Sequence, residues 1–235
     1  MRIVALIARV VTVVAVVLAP RVQASPAEAG GGPDDPDLSA AYAALADKRF
    51  AAAIQGFAAA VKTDPAALPS AWGWGMALYG KGDLDGALTI FERILKTAPN
   101  HGRALYGRGL IRLRRGGAAE VDLRAALAVD VDDVRARFRL GQALAARSAY
   151  DEACLELRAV LRRRWIHQPA RHALVLALRD SGRLADAEAE AKTFSAVDRL
   201  IPLIRRVERR VRANPEDSVA VRELMELYVR AGRRP

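Results

Sequence analysis

An all-α array of antiparallel helix pairs is the fold this sequence predicts, and three observations carry the prediction. The 235-residue chain is 52% hydrophobic but only 6% aromatic, so its apolar content is mainly Ala, Leu and Val, a mixture that favours helices over sheets. Five alanines in similar settings, Ala53, Ala87, Ala119, Ala153 and Ala187, stand 34, 32, 34 and 34 residues apart. Between them the apolar residues recur at steps of three, four and seven, as with Leu78, Leu88, Ile94 and Leu95; that is the period of a helix with one buried face.

The elements follow in order. Residues 1–24 read as a secretory leader: Arg2 and Arg9 are its basic start, Val10 to Ala19 is apolar apart from Thr12, and Val22-Gln23-Ala24 forms the cleavage end. The apolar run is shorter than the roughly 20 residues that span a bilayer, so cleavage is favoured over a membrane anchor formed by residues 3–19. Residues 25–36 form a flexible Gly/Pro/Asp linker with nothing to bury. Residues 37–196 hold five units, each a helix, a turn with Gly or another small residue, and a second helix. Asp64-Pro65 and Ala98-Pro99 close units where proline cannot continue a helix. The third unit is two residues short, and a shortened turn at Gly116-Gly117 is expected to absorb the difference. Residues 197–235 supply C-terminal helices: Val197 to Arg212, a turn at Asn214-Pro215, and Ser218 to Ala231, the first helix of an incomplete sixth unit that caps the array.

In this register the chain resembles the tetratricopeptide repeat family. With Pro99 at position 32 of a repeat, Gly75 falls at 8, Leu78 at 11, Gly82 at 15, Ala87 at 20 and Phe91 at 24. Pro65 places Ala41, Ala53, Phe57 and Ala60 in the same pattern, and Leu140, Gly141, Leu144, Tyr150 and Ala153 follow it from Val134. Leu174, Leu178, Gly182, Leu184 and Ala187 do so from Gln168. A hairpin of this size cannot bury both faces alone, so neighbours must stack; small residues at positions 8 and 20 let helices approach, and an aromatic at 24 fills the gap. The resemblance implies a right-handed superhelical solenoid.

Composition and motifs exclude much chemistry. One cysteine, Cys154, allows neither an internal disulfide nor a thiolate-rich zinc site. Trp72-Gly73-Trp74-Gly75 and Gly107-Arg108-Gly109 lack the third glycine and the preceding strand of a dinucleotide fingerprint. His167 and His172 are five apart and do not share a helix face as metal ligands would. No catalytic residue, metal ligand or cofactor site is expected, and the chain reads as a non-enzyme.

Binding remains. The resemblance assigns the inner surface of the superhelix to positions 2, 5, 6, 9 and 12 to 13 of each first helix. Here these are Trp72, Met76 and Tyr79; Arg103, Tyr106, Leu110 and Arg114; Arg135, Phe138, Arg139 and Gln142; and His172, Leu176 and Arg179. Apolar platforms alternate with arginines, a mixture typical of interface hot spots and suited to acidic and hydrophobic peptide segments. Positive charge is concentrated there: His101 to Asp180 has 16 basic and 9 acidic residues, whereas Ser25 to Asn100 has 6 and 9. The expected function is an exported scaffold or adaptor, periplasmic or secreted, that holds a polypeptide partner in this groove during envelope assembly or maturation. A glycan-binding module using Trp72, Tyr79 and Tyr106 is the first rival, and a basic RNA-binding repeat the second.

Overall fold

The computed structural model describes residues 36–231, and among them the chain forms helices and no strand. The leader and most of the linker lie outside the described residues. Eleven helices follow one another: α1 (Pro36–Ala46), α2 (Phe50–Thr63), α3 (Leu68–Lys81), α4 (Leu84–Thr97), α5 (Gly102–Arg114), α6 (Glu120–Val129), α7 (Val134–Ala146), α8 (Tyr150–Arg163), α9 (Gln168–Asp180), α10 (Leu184–Ala213) and α11 (Ser218–Arg230). Pro36, the last residue assigned to the linker, already begins α1. No helix among the described residues is long and apolar enough to cross a membrane. The chain divides into two compact units, with the boundary between Glu156 and Leu157 inside α8.

In the first unit each helix from α1 to α7 packs on the next, and the first helices α1, α3, α5 and α7 also touch in turn. The close approach has a visible cause. Phe91 of α4 is fully buried, and its ring fills the space where a Cβ on Gly75 or Gly107 would stand, at 2.6 Å and 2.5 Å. Phe57 of α2 occupies the same place against Gly73 at 2.6 Å. Gly73, Gly75 and Gly107 are therefore seats for aromatic rings within helices, while Gly109 makes room for Leu123. Around Phe57 lie Leu38, Ala41, Ala44, Ala53 and Ala77, with Tyr42 and Trp74 packed against them.

Turn chemistry repeats with the fold. Inside every pair the connection passes through one residue at positive φ: Lys48 (59°), Gly82 (96°), Gly116 (70°), Ser148 (61°) and Gly182 (80°). Left-handed backbone costs a side chain about 1–2 kcal/mol. Ser148→Gly is accordingly expected to raise stability by about 1 kcal/mol, read as a higher urea midpoint at unchanged slope; a lowered midpoint would contradict the strain.

Between pairs, Asp64, Asp130 and Asn214 each accept a hydrogen bond from the amide two residues on, so Asp130 turns the chain although Val131 stands where proline is usual. His101, Asp133, His167 and Asp217 then cap α5, α7, α9 and α11. Each accepts from the amide of the third helical residue, Ala104, Ala136, Ala170 or Ala220, all four of which are fully buried. Burial, with Arg103 nearby, lowers the pKa of His101, and a neutral imidazole is what a cap needs to accept a bond.

The third unit corrects the expected shortened turn. Its connection from Arg115 to Ala119 is the longest within any pair, and the second helix α6 is cut to 10 residues where α2, α4 and α8 have 14. A buried ion cluster fixes the short helix. Asp122, 1% exposed, accepts from Arg108 Nε at 3.2 and 3.1 Å and from Arg108 Nη2 at 2.7 Å, and forms an ion pair with Arg112 Nη1 at 2.9 Å.

In the second unit the chain departs from the expected boundary at 196/197. Residues 184–213 form one 30-residue helix, with Pro202 inside it. A proline there removes a backbone bond and costs about 3 kcal/mol. The helix runs on because its apolar stripe does: Val197, Ile201, Ile204, Val207 and Val211 are all buried with Ala220, Val221, Leu224, Leu227 and Tyr228 of α11. Tyr228 packs edge-on against Trp165 at 5.5 Å and donates to Glu208 at 2.9 Å.

One device appears in each unit. Arg137, fourth residue of α7, donates to Glu156 at 2.8 Å and to the Val131 carbonyl at 2.6 Å. Arg171, fourth residue of α9, donates to Glu190 at 2.5 Å and to the Trp165 carbonyl at 3.1 Å. An arginine thus ties its helix both to the next helix and to the turn before it.

Candidate functional site

The candidate surface is the face of α3, α5 and α7 in the first unit. Charge is segregated there by helix. Residues 68–81, 102–114 and 134–146 contain no Asp or Glu, whereas α4, α6 and α8 carry Asp85, Glu92, Glu120, Asp122, Asp151, Glu152 and Glu156. The seven arginines of α5 and α7 fall into two sets. Arg108, Arg112 and Arg137 reach the second helices and pair with Asp122 or Glu156.

The other four lie over aromatic rings. Arg103 is 5.5 Å from the Trp72 ring, Arg114 5.6 Å from Tyr79, Arg135 5.7 Å from Tyr106, and Arg139 5.4 Å from Phe138. A guanidinium over a ring face is held by the ring quadrupole, and its planar fork of donors is oriented before any ligand arrives. Arg135 also contacts Asp133 at 3.3 Å, and Arg139 donates to Gln142 at 2.8 Å. Tyr106 is 9% exposed; burial raises the pKa of its phenol against the opposing pull of Arg139 and Arg135, so the hydroxyl stays neutral.

Between the three helices lies a cavity of about 310 Å³, lined by Tyr79, Leu110, Leu113, Arg114, Arg139 and Gln142. Its floor is apolar and its rim carries two guanidiniums and an amide. The volume suits one large apolar side chain with a polar neighbour.

Of the sequence-predicted residues, the structure gathers Tyr79, Leu110, Arg139 and Gln142 at the cavity. Trp72 and Arg103 stack beside each other, as do Tyr106 and Arg135. Met76 is half-buried on α3. Phe138 is buried beneath Arg139 and does not line the cavity. His172 and Arg179 are exposed on α9 in the second unit, where Arg179 pairs with Asp180 at 3.3 Å. Tyr42 of α1 was not among the predicted residues. It donates to the Pro69 carbonyl at 3.1 Å and packs edge-on against Phe57. Burial raises its pKa, and the charge of Arg103 opposes the rise, which places that guanidinium near it. The indole N–H of Trp72 is covered yet donates to nothing among the described residues; that of Trp74, in the apolar cluster, is in the same condition. Cys154 is buried, and no three His, Cys, Asp or Glu side chains gather as metal ligands among the described residues.

Comparison with known proteins agrees with this architecture. A family model for the tetratricopeptide repeat matches residues 73–120 and 117–169. The Arabidopsis thaliana protein named Protein CTR9 homolog is 35% identical over 94 residues, an alignment that takes in 35% of this chain and 9% of that protein. The chain thus spans about a tenth of the curated relative it matches. Among solved structures, MamA AMB-1 superposes with a TM-score of 0.62 at 21% identity, over 70% of this chain and 99% of its own. MamA 41-end from Desulfovibrio magneticus RS-1 gives 0.62 at 19% identity, over 69% and 93%. At such identities the likeness is one of fold, a solenoid of helical repeats. Ring seats on glycine, alanines at the crossings and the family match converge: residues 73–169 are built of tetratricopeptide repeats.

Proposed function

We propose that this protein is a non-enzymatic, exported adaptor that holds a polypeptide segment against the face of α3, α5 and α7, in assembly or maturation of the cell envelope. The observation that carries the reading is the sorting of arginines. Arg108, Arg112 and Arg137 pair with carboxylates of the second helices, while four arginines of the first-helix face lie over Trp72, Tyr79, Tyr106 and Phe138, and two of these, Arg114 and Arg139, line the cavity. Oriented guanidiniums beside an apolar recess favour a segment with acidic and hydrophobic side chains. The ring faces that a sugar would stack on are taken by guanidinium groups, which favours polypeptide over glycan.

The test is affinity capture from the native envelope with the chain from Ser25 onward and a variant carrying Tyr79→Ala, Arg114→Gln and Arg139→Glu. All three residues line the cavity and none is fully buried, so helix content by circular dichroism is expected to be unchanged. A polypeptide held by the parent chain and lost at least tenfold by the variant is the expected result. Equal capture by both would move the binding surface elsewhere. Retention on isolated cell-wall glycan in place of polypeptide would replace the reading.

A further inference from the structure

We propose that the outer face of α10 between Arg199 and Arg212 docks the second unit on an anionic phospholipid bilayer. This surface shares no residue with the face of α3, α5 and α7, so the two readings stand or fall apart. Its basis is a change of sign along one helix. Residues 184–198 carry Asp186, Glu188, Glu190 and Asp198 against Lys192, whereas residues 199–213 carry six arginines against Glu208. A high arginine content alone would not gather them in one half. Nor does the helix dipole account for them. It acts within the last turn, which holds Arg210 and Arg212; Arg199, Arg205, Arg206 and Arg209 stand before it.

The arginines share a side. Val197, Ile201, Ile204, Val207 and Val211 turn one face of this stretch into the core. At 3.6 residues per turn, Arg199, Arg206 and Arg209 fall opposite that face together with Pro202, and Arg205 and Arg212 lie on its flank. All of them are exposed, in a strip roughly 20 Å long.

They are also unpaired. Other exposed arginines find carboxylates, as Arg49 does with Asp47, Arg124 with Glu152 and Arg147 with Glu120. The side chains of Arg199, Arg205, Arg206, Arg209 and Arg212 have no hydrogen-bond or ion-pair partner among the described residues. Nearby acids are engaged elsewhere: Glu208 accepts from Tyr228, Asp198 accepts from Gln168, and Asp217 and Glu223 take Arg210. Arg205 and Arg209 are like charges one helical turn apart, a spacing that repels. A polyanion laid along the strip relieves the repulsion.

Two features select a bilayer as that polyanion. Pro202 and Leu203 are exposed among the arginines, Leu203 by 39%; apolar groups gain from the headgroup boundary of a membrane and little from a phosphodiester chain. Residues 199–213 contain no aromatic to stack on a base and no Asn or Gln to read one. Clustered arginines on a helix are drawn to the negative potential of an anionic leaflet, and their planar forks match lipid phosphates. The contact is peripheral, since no helix among the described residues is long and apolar enough to cross a membrane.

The experiment is vesicle flotation with the chain from Ser25 onward, so that the apolar leader contributes nothing. Vesicles of phosphatidylcholine alone are compared with vesicles of equal phosphatidylcholine and phosphatidylglycerol. One variant carries Arg199→Gln, Arg205→Gln, Arg206→Gln and Arg209→Gln. A second loses the same charge at exposed arginines elsewhere, through Arg49→Gln, Arg124→Gln, Arg147→Gln and Arg179→Gln. The expected result is binding to the anionic vesicles alone, weakened by salt, reduced roughly tenfold or more in the first variant and kept in the second. Equal binding to both vesicle types, or none to the anionic ones, overturns the proposal on the parent chain, whatever any variant does. Equal loss in the two variants also overturns it, because net charge and not the strip would then be responsible. Duplex DNA or single-stranded RNA bound more tightly than the anionic vesicles, and lost in the first variant, would replace the bilayer with a nucleic acid.

Discussion

Phe91→Ala is expected to cost about 3–5 kcal/mol, the range for deleting a fully buried phenylalanine, and to be the most damaging single truncation in the first unit. The reason lies in what the ring separates. Gly75 of α3 and Gly107 of α5 each come within a missing Cβ of it, so the vacated space opens into two helix crossings at once. Neither helix can collapse into the gap without moving its pair. A urea titration followed by far-ultraviolet circular dichroism measures the loss. The converse change checks the geometry: Gly107→Ala puts a methyl group 2.5 Å from the Phe91 ring and is expected to cost about 1–3 kcal/mol by overpacking. Combined with Phe91→Leu it should cost less than the sum of the two, because the smaller side chain makes room for the methyl. Additive costs would mean that the ring and the glycine are not coupled.

The second large effect is expected at Asp122. Asp122→Ala removes the carboxylate that accepts three hydrogen bonds from Arg108 and pairs with Arg112, and breaking a buried pair from one side costs about 3–5 kcal/mol. Here the lower end applies, about 3 kcal/mol, because the Arg112 side chain is 40% exposed and can turn towards water. Asp122→Asn keeps the shape and loses the charge, so it should fall between the parent and the alanine variant. Replacing Asp122 by leucine, with Arg108→Leu and Arg112→Leu, would test whether the cluster stabilises or only specifies; recovery of most of the lost stability would assign it the second role.

Much of this molecule is legible in its sequence because a repeat states each rule several times. Ala53, Ala87 and Ala153 mark second helices, Gly82 and Gly182 mark turns, and Gly73, Gly75 and Gly107 mark places where a ring must sit. The departures occur where the signal is local and the cause is distant. The long α10 carries no Gly, no Asp-Pro and no other stop between Leu184 and Ala213 except Pro202, and a repeat count alone put a boundary where the apolar stripe simply continues. In the third unit, Gly116-Gly117 shows that something is irregular, but not that α6 would be cut and tied down by Asp122. For the site, repeat position identifies Trp72, Tyr79, Arg103 and Arg139. It does not say which arginines meet a carboxylate on the neighbouring helix and which meet a ring, since that depends on two helices at once. Leu113 holds the same repeat position as Tyr79, but that position spans two residues and Arg114 was read there in its place; the cavity takes both.

The continuity of α10 changes how the second unit comes apart. In an array of separate hairpins the terminal one frays first, since it is joined to the rest by a single interface. Here one rod about 45 Å long bonds to α9 through Arg171 and Glu190 near its start and buries its other end against α11. Melting α11 would expose the stripe from Val197 to Val211, and melting that stretch would remove helical turns that support Glu190. The segment from α9 to α11 therefore behaves as one cooperative unfolding block, with its amides exchanging together instead of in a gradient towards the C-terminus.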